Sequence, residues 1–353
     1  MSELVFTLED FHNPLLVKIY AGFVDFCGTL TVIGFLLLMY MVIKKSSPDM
    51  EEYRYYIIHQ LCWSLIFNIH LVLWKPVPLW PFYFGYSAGP YSFLPEKYKY
   101  FPIIFLGFIA VGMGFSIYLS TMHRYVNVEP NSKFGEAFRR KIYMKFINFI
   151  IFCALLAGVC LPMYLHTDEF ESAKEAVIKR AKFMEFFFVN YPSMAGYDSA
   201  INDNMSTVFM NALLLMLIGL LVSTFLLYAN FLRILKKNQP NLGDIIYKMQ
   251  MMLLKSWSIQ ISCAVGFLLL PTAISFTLAV FGIRWAAKFS LLAISINCTH
   301  AIIDYLSLCL CIQPYRNCLK KKIAFIFCNC GADCKRSAID TYTSGTGNSM
   351  IPS

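Results

Sequence analysis

Charge is the property that this 353-residue chain has least of, since Asp, Glu, Lys and Arg together make up 14% of it. A soluble domain usually carries about 25% charged residues. Hydrophobic residues account for 58% of the chain and aromatic residues for 16%. This composition excludes an ordinary soluble domain and indicates a protein that lies within a membrane.

The few charges are also absent from long stretches of the chain. Seven apolar blocks are each close to the roughly 20 residues that a helix needs to cross a bilayer. They contain none of the 30 Lys and Arg residues, and their only acidic residues are Asp25 and Asp304. The blocks are residues 20–43, 55–73, 100–122, 146–165, 208–232, 256–281 and 289–312. They predict an all-α membrane protein, a bundle of seven transmembrane helices over residues 20–312.

Basic residues are unevenly distributed between the blocks. Twenty of them lie in residues 44–54, 123–145, 233–255 and 313–353, and ten lie in the other segments. Because Lys and Arg collect on the cytoplasmic side of a membrane, residues 1–19 are predicted to be outside and the tail, residues 331–353, inside. The same bias accounts for the net charge of +9, so nucleic acid is not an expected partner.

Catalytic and extracellular cysteine motifs are absent as well. The chain has no G-x-S-x-G, H-E-x-x-H, P-loop or dinucleotide fingerprint, so we expect neither an enzyme nor a cofactor. The predicted outer loops contain no cysteine, which excludes the disulfide between helix three and the second outer loop of many seven-helix receptors. One of those loops holds Asn204-Met205-Ser206, a candidate glycosylation site.

Short motifs stand out at the ends of the blocks and between them. They are Arg54-Tyr55-Tyr56, residues 68–71, the proline-rich turn at 76–81, residues 85–89 and Pro314-Tyr315-Arg316. These motifs resemble those of the nematode serpentine chemoreceptors, most closely the class I (Sri) family, with the class H (Srh) family beside it. The resemblance implies a G-protein-coupled receptor in the plasma membrane, including that of a sensory cilium, that detects a small environmental molecule and activates a heterotrimeric G protein.

Two positions differ from the pattern of many rhodopsin-like receptors. Arg124-Tyr125, at the end of helix three, follows His123 where an acidic residue is common. Helix six contains Pro271 but no Trp before it. We therefore expect neither an arginine–acid lock within this triplet nor a tryptophan toggle.

Six residues near the outer ends of helices one and two are candidates for a ligand pocket. They are Asp25, Asn68, His70, Trp74, Tyr83 and Tyr86. Asp25 could pair with a cationic ligand or with a neighbouring helix, and the aromatic residues could either line a small-molecule site or anchor the chain at the membrane interface.

Asn297, His300 and Asp304 form a polar stripe on helix seven, because their i, i+3, i+7 spacing places them on one face. Polar groups within a membrane usually face the bundle interior. The stripe predicts either a structural hydrogen-bond network or an internal switch. We expect no metal site from His300 and Asp304, because two possible ligands one helical turn apart recur by chance.

Pro271 predicts a kink in helix six, because proline removes a backbone donor. The kink is either a static bend or a hinge for the inner half of the helix. A face for a G protein would then include Arg124, Tyr125, Met249 and Met252; alternatively, the Met-rich face packs on helix five.

Pro314 ends helix seven and suits the first turn of a new helix. Residues 313–330 are predicted to lie on the membrane surface, with Tyr315 inward and Arg316 toward lipid phosphates. The candidates for palmitoylation are Cys318, Cys328, Cys330 and Cys334; they could also be free thiols, or a metal site at the Cys-x-Cys pair.

The principal alternative is a ligand-gated channel or transporter, whose seven helices could place the N-terminus inside. A membrane scaffold without a ligand is a third hypothesis.

Overall fold

A computed structural model of the chain describes residues 6–46, 51–128, 141–165, 167, 170–198, a few positions between 215 and 226, 228–237 and 244–329. Within these helices the side chains at 51–52, 124–125, 127–128, 141–144, 244–250, 253 and 322–329 are not described.

The described residues contain six helices that are long and apolar enough to cross a membrane. Their bounds are Pro14–Lys45 (helix one), Glu51–Trp74 (helix two), Phe101–Val128 (helix three), Lys141–Leu165 (helix four), Asp244–Val280 (helix six) and Ala286–Cys311 (helix seven). Residues 228–237 are helical; they include the end of the fifth predicted block, 208–232, and continue five residues beyond it, while the rest of that block lies mostly outside the described residues. The predicted seven-helix bundle is the fold of the chain.

Helix one begins at Pro14, six residues before its apolar block. Asn13 caps it, since the side-chain oxygen accepts a hydrogen bond of 3.0 Å from the Leu16 amide, and Pro14 needs no donor in the first turn. The added residues place Lys18 outside the predicted apolar block, next to a folded outer region.

Two glycines allow the first three helices to approach closely. A Cβ atom on Gly28 would lie 2.4 Å from the Val72 side chain of helix two. A Cβ atom on Gly112 in helix three would lie 2.3 Å from the ring of Trp63 in helix two. Real Cβ atoms do not approach so closely, so a larger residue at either position would force the Val72 or Trp63 side chain to move.

An antiparallel sheet covers part of the outer end of the bundle and was not predicted from the sequence. Its strands are Pro76–Leu79 (β1), Phe84–Ser87 (β2) and Ala195–Gly196 (β3), in the order β1-β2-β3. Pro76 and Pro78 are tolerated because β1 is an edge strand, where alternate amides face away from the sheet. The proline-rich turn of the sequence is therefore a β-hairpin.

Short helices complete the outer region, which we call the outer cap: residues 6–13, 75–100 and 170–198. Its helices are Leu8–Phe11, Phe170–Arg180 and Met184–Asn190. Stacked rings of Phe11 and Phe183, with centroids 5.4 Å apart, join the N-terminal segment to the second outer loop. Arg284 Nε donates to Asp10 at 2.8 Å and ties the same segment to the loop after helix six.

Candidate ligand-binding and coupling sites

The tip of the β1–β2 hairpin reaches helix six. The Trp80 ring lies edge-on to Phe276, with centroids 6.1 Å apart, and edge-on to Tyr83 at 5.4 Å. Strand β1 packs on helix seven. The hairpin therefore contacts the outer half of helix six as well as helix seven.

The base of the hairpin is held by helix one. Lys75 Nζ lies 2.7 Å from Asp25 Oδ2, and the ammonium is nearly buried while the carboxylate is half-exposed. Tyr20 donates to the carbonyl of Pro76 at 3.1 Å. Of the two roles predicted for Asp25, this geometry favours the pair with a neighbouring segment over a pair with a ligand.

His70 joins helix two to helix three. Its side chain is 1% exposed, and because a carbonyl accepts only, Nε2–H donates to Pro102 at 3.0 Å. The Trp74 ring lies 5.5 Å from the imidazole. Asn68, also 1% exposed, donates to the Ser64 carbonyl in its own helix at 3.4 Å.

The six predicted pocket residues consequently lie at several separate places in the described part of the chain. Asp25 lies at the base of the hairpin, His70 and Trp74 lie between helices two and three, and Tyr83 lies at the hairpin tip. Tyr86 lies elsewhere in the outer cap, stacked on Tyr191 with centroids 3.9 Å apart. Burial raises the pKa of the Tyr86 phenol, with a further contribution from Tyr191, so Tyr86 is a neutral hydrogen-bonding group at physiological pH.

Helix six contains a π-helical stretch, Val265–Leu269, immediately before Pro271. Such stretches often mark functional sites in helices. Pro271 has no N–H and cannot donate to the carbonyl of Phe267, four residues earlier. The regular hydrogen-bond ladder is thus interrupted where the hinge was predicted.

The side chain of Asn297 in helix seven contacts helix six at this interruption. In the amide orientation that satisfies both ends of the side chain, the nitrogen donates to the Phe267 carbonyl at 2.9 Å, and the oxygen lies 3.1 Å from Thr272 Oγ1. Helix seven therefore supplies a donor to the carbonyl that Pro271 leaves without one.

Asp304 lies two turns further along the same face and also contacts helix six. Gln260 Nε2 donates to Asp304 Oδ1 at 3.0 Å, and the two residues are 5% and 1% exposed. Asp304 Oδ2, Gln260 Oε1 and His300 Nδ1 are buried without a partner among the described residues. The polar stripe thus contacts helix six on both sides of the π-helical stretch.

Gln260 was missed by the sequence analysis. It lies in the block 256–281, but a search for charged residues does not detect an amide. The contacts of Trp80 with Phe276 and of Lys75 with Asp25 were missed because the two residues of each pair are distant in sequence.

At the inner end, His123 packs its ring on Tyr56, with centroids 4.4 Å apart. His123 stands where an acidic residue is common, and it thus contacts the Arg54-Tyr55-Tyr56 motif. The side chains of Arg124, Tyr125 and Met249 lie outside the described residues. Met252 packs on the core between helices one, two and seven.

Among the described side chains, Leu254 and Trp257 of helix six contact residues 228–237 of helix five. Leu254 and Trp257 form a buried cluster with Phe231 and Leu235 of helix five. The ring of Tyr228 lies 5.8 Å from Trp257.

A helix, Gln313–Asn329, follows helix seven, with Pro314 in its first turn. Tyr315 is fully buried, and its hydroxyl lies 2.7 Å from Ser46 Oγ at the end of helix one. Since Ser46 donates to the Val42 carbonyl, Tyr315 is the donor. Burial raises the pKa of Tyr315, which keeps the phenol neutral.

The described side chains that follow Tyr315 divide as the amphipathic pattern of this helix predicts. Cys318 and Leu319 are half-buried against the core, and Arg316, Lys320 and Lys321 are exposed. The Cys328 side chain, Cys330, Cys334 and Asn204 lie outside the described residues. Palmitoylation and glycosylation remain predictions.

Replacing Tyr315 with alanine is expected to destabilise the protein by about 3–5 kcal/mol, as for other buried aromatic side chains. Tyr315→Phe removes one hydrogen bond and should cost about 0.5–1.5 kcal/mol. Thermal unfolding of the purified protein measures both. Arg316→Ala, at the exposed neighbour, is the control; an equal loss in all three variants would contradict the role of Tyr315 burial.

The chain matches the family described as Serpentine type 7TM GPCR chemoreceptor Srh over residues 17–325. No curated protein matches the chain. The structure is similar to the crystal structure of squid rhodopsin with a TM-score of 0.57, covering 100% of this chain and 98% of that chain at 13% identity. At this identity the similarity shows the fold alone.

The family match extends from the first turn of helix one to the surface helix, and so includes the hairpin, the polar stripe and Pro314-Tyr315-Arg316. The resemblance to serpentine chemoreceptors is confirmed, with Srh, the second of the two families, as the match. Because the match covers most of the chain and the fold agrees with it, the chain belongs to the Srh family of serpentine seven-transmembrane G-protein-coupled chemoreceptors.

Proposed function

We propose that this receptor detects a small environmental molecule from outside the cell and activates a heterotrimeric G protein at its inner face. It acts in the plasma membrane of a sensory cell, including that of a sensory cilium. The observation that carries the proposal is the pair of contacts on either side of the break in helix six: Trp80 with Phe276 on the outer side, and Gln260 with Asp304 on the inner side.

The mechanism follows from these contacts. A ligand that favours one position of the hairpin shifts the outer half of helix six through Trp80, in proportion to its differential affinity for the two states. The π-helical stretch and Pro271 allow the inner half to move separately. Separation of Gln260 from Asp304 then opens the inner end, where Arg124, Tyr125, Met249 and Met252 are the proposed contacts of the G protein.

The internal switch of this proposal is Asn297, His300 and Asp304, with Pro271 as the hinge. Asn297 supports it by its bond to the Phe267 carbonyl, and Asp304 by its bond to Gln260. His300 is included by its buried position on the same helix face.

The test is nucleotide exchange on purified G proteins by the receptor in lipid nanodiscs, over a broad panel of odorants. We expect at least one odorant to accelerate exchange. If no odorant does so with any G-protein class, while the receptor remains folded by thermal unfolding, the proposal is wrong. Ligand-evoked current without a G protein would support the channel alternative instead.

With an active odorant, Trp80→Ala is expected to lower the odorant-induced exchange about tenfold, the effect of losing about 1.4 kcal/mol of coupling. Exchange without the odorant should change little, because Gln260–Asp304 remains. Phe93→Ala, at an aromatic residue of the same outer loop that is 89% exposed, should leave both rates unchanged. If Trp80→Ala and Phe93→Ala have equal effects, the hairpin has no part in the mechanism.

A further inference from the structure

A cleft of about 240 Å³ lies in the outer cap beside the start of helix one. One wall is a face of helix one, formed by Pro14, Val17, Lys18 and Ala21 at i, i+3, i+4 and i+7. This cleft is separate from the hairpin tip and from the polar stripe of helix seven.

The other wall comes from distant segments. Tyr86 lies in β2, Ala88 directly follows that strand, and Tyr191 follows the helix Met184–Asn190. His12 closes one end, with its ring 5.0 Å from that of Phe186. The cleft therefore exists only when the N-terminal segment, the first outer loop and the second outer loop are folded together.

The lining groups favour one kind of ligand. None of the eight described lining residues is acidic, and Lys18 is exposed with no carboxylate partner among the described residues. The phenols of Tyr86 and Tyr191 and the imidazole of His12 add hydrogen-bonding groups. Apart from Lys18, the residues of the helix-one wall are apolar. An anionic head beside Lys18 and a short apolar body along Val17 satisfy both walls.

The size of the cleft limits the ligand further. At about 240 Å³ it is smaller than the roughly 300–1,000 Å³ of sites for drug-sized molecules. Lys18 lies just outside the predicted apolar block of helix one, so the charged end of a ligand would lie at the membrane–water boundary.

We propose that this cleft binds a small monocarboxylate, with its carboxylate paired to Lys18 and its short alkyl chain against helix one. The inference rests on the proposed function, since it names a class of ligand for a chemoreceptor. A single ammonium with flanking phenols matches one carboxylate better than a doubly charged group, for which a second cation would be expected.

The test uses the full-length receptor with sodium hexanoate as the probe, at neutral pH, and measures binding by saturation-transfer NMR. Hexan-1-ol and hexylamine are matched probes that have the same chain without the anion. We expect hexanoate to bind, hexylamine not to bind, and hexan-1-ol to bind at least about tenfold more weakly, since it lacks a charge-assisted contact with Lys18.

Lys18→Gln is expected to weaken hexanoate binding about tenfold, while Lys182→Gln, at an exposed lysine of the outer cap, should leave it unchanged. Both lysines are exposed, so neither change should prevent folding, and thermal unfolding checks this. Equal binding by the two variants, or equal binding of hexanoate and hexan-1-ol, would overturn the proposal.

Lipid phosphate is the other anion that could reach Lys18, so binding is measured in maltoside micelles and in phosphatidylcholine nanodiscs. Binding in both supports the monocarboxylate site. Binding in micelles alone would assign the cleft to a lipid headgroup and overturn the proposal, as would no binding in either. Because the measurement needs no G protein, its failure leaves the proposed function intact if another odorant still drives nucleotide exchange.

Discussion

Replacing Asp304 with leucine is expected to raise nucleotide exchange in the absence of ligand by about 5–30-fold. The reason is that the variant removes the acceptor for Gln260 and so frees the inner half of helix six from helix seven. A hydrogen bond between membrane helices contributes about 1–2 kcal/mol at most, and each 1.4 kcal/mol is about a tenfold shift in an equilibrium. The measurement is exchange on the cognate G protein, at matched amounts of folded receptor.

Asp304→Asn is the matched control for this prediction. Its carbonyl can still accept from Gln260, and its new amide can donate to Gln260 Oε1, which lacks a partner among the described residues. Exchange without ligand should therefore stay near that of the parent receptor. If the asparagine and leucine variants behave alike, the hydrogen bond is not what holds the two helices together.

A double-mutant cycle tests the pair directly. Gln260→Leu should raise exchange as Asp304→Leu does, and the two changes together should raise it no further than either alone, because they remove the same interaction. Additive effects would mean that the two residues act through different partners.

Replacing Gly112 with valine is expected to abolish most of the folded receptor. The new Cβ would lie 2.3 Å from the Trp63 ring, and that ring is held in place by a hydrogen bond of 3.1 Å from Trp63 Nε1 to His59 Nε2. Overpacking in a well-packed core costs about 1–3 kcal/mol or more. The readouts are the fraction of receptor at the cell surface and the melting temperature of the purified protein.

Gly114 provides the control on the same helix, since a Cβ atom there meets nothing within 4 Å. Gly114→Val should lower stability only slightly, or not at all. A second change, Trp63→Ala, should partly restore the Gly112→Val receptor, since it removes the atoms that clash. A Gly112→Val receptor as stable as the Gly114 variant would show that helices two and three can separate freely.

Much of the bundle could be predicted from the sequence because the bilayer imposes a simple requirement. A spanning helix needs a long stretch without charge, and the blocks 100–122 and 146–165, which contain no charged residue, satisfy it without any knowledge of their neighbours. The short helix after Pro314 could be predicted for a similar reason, since Tyr315 and Arg316 belong to opposite faces of a local amphipathic pattern.

The outer cap could not be predicted in this way. Strand β1 begins with Pro76 and contains Pro78, and proline in a sequence argues against a strand unless the strand is known to lie at an edge. The role of Gly196 is equally hidden: a Cβ there would lie 2.4 Å from the Tyr83 carbonyl, a contact between residues more than a hundred positions apart.

The same distinction between local pattern and tertiary contact applies to the candidate sites. The sequence alone determined that the chain spans a membrane seven times, that Asn297 and Asp304 share one helix face, and that helix six is interrupted at Pro271, because hydrophobicity, helical period and proline chemistry act locally. Only the tertiary structure decided that Asp25 pairs with Lys75, that Asn297 meets the carbonyl left by Pro271, and that Asp304 meets Gln260. These contacts join side chains from different helices, and their partners are set by how the helices cross and rotate against each other, which no local pattern specifies.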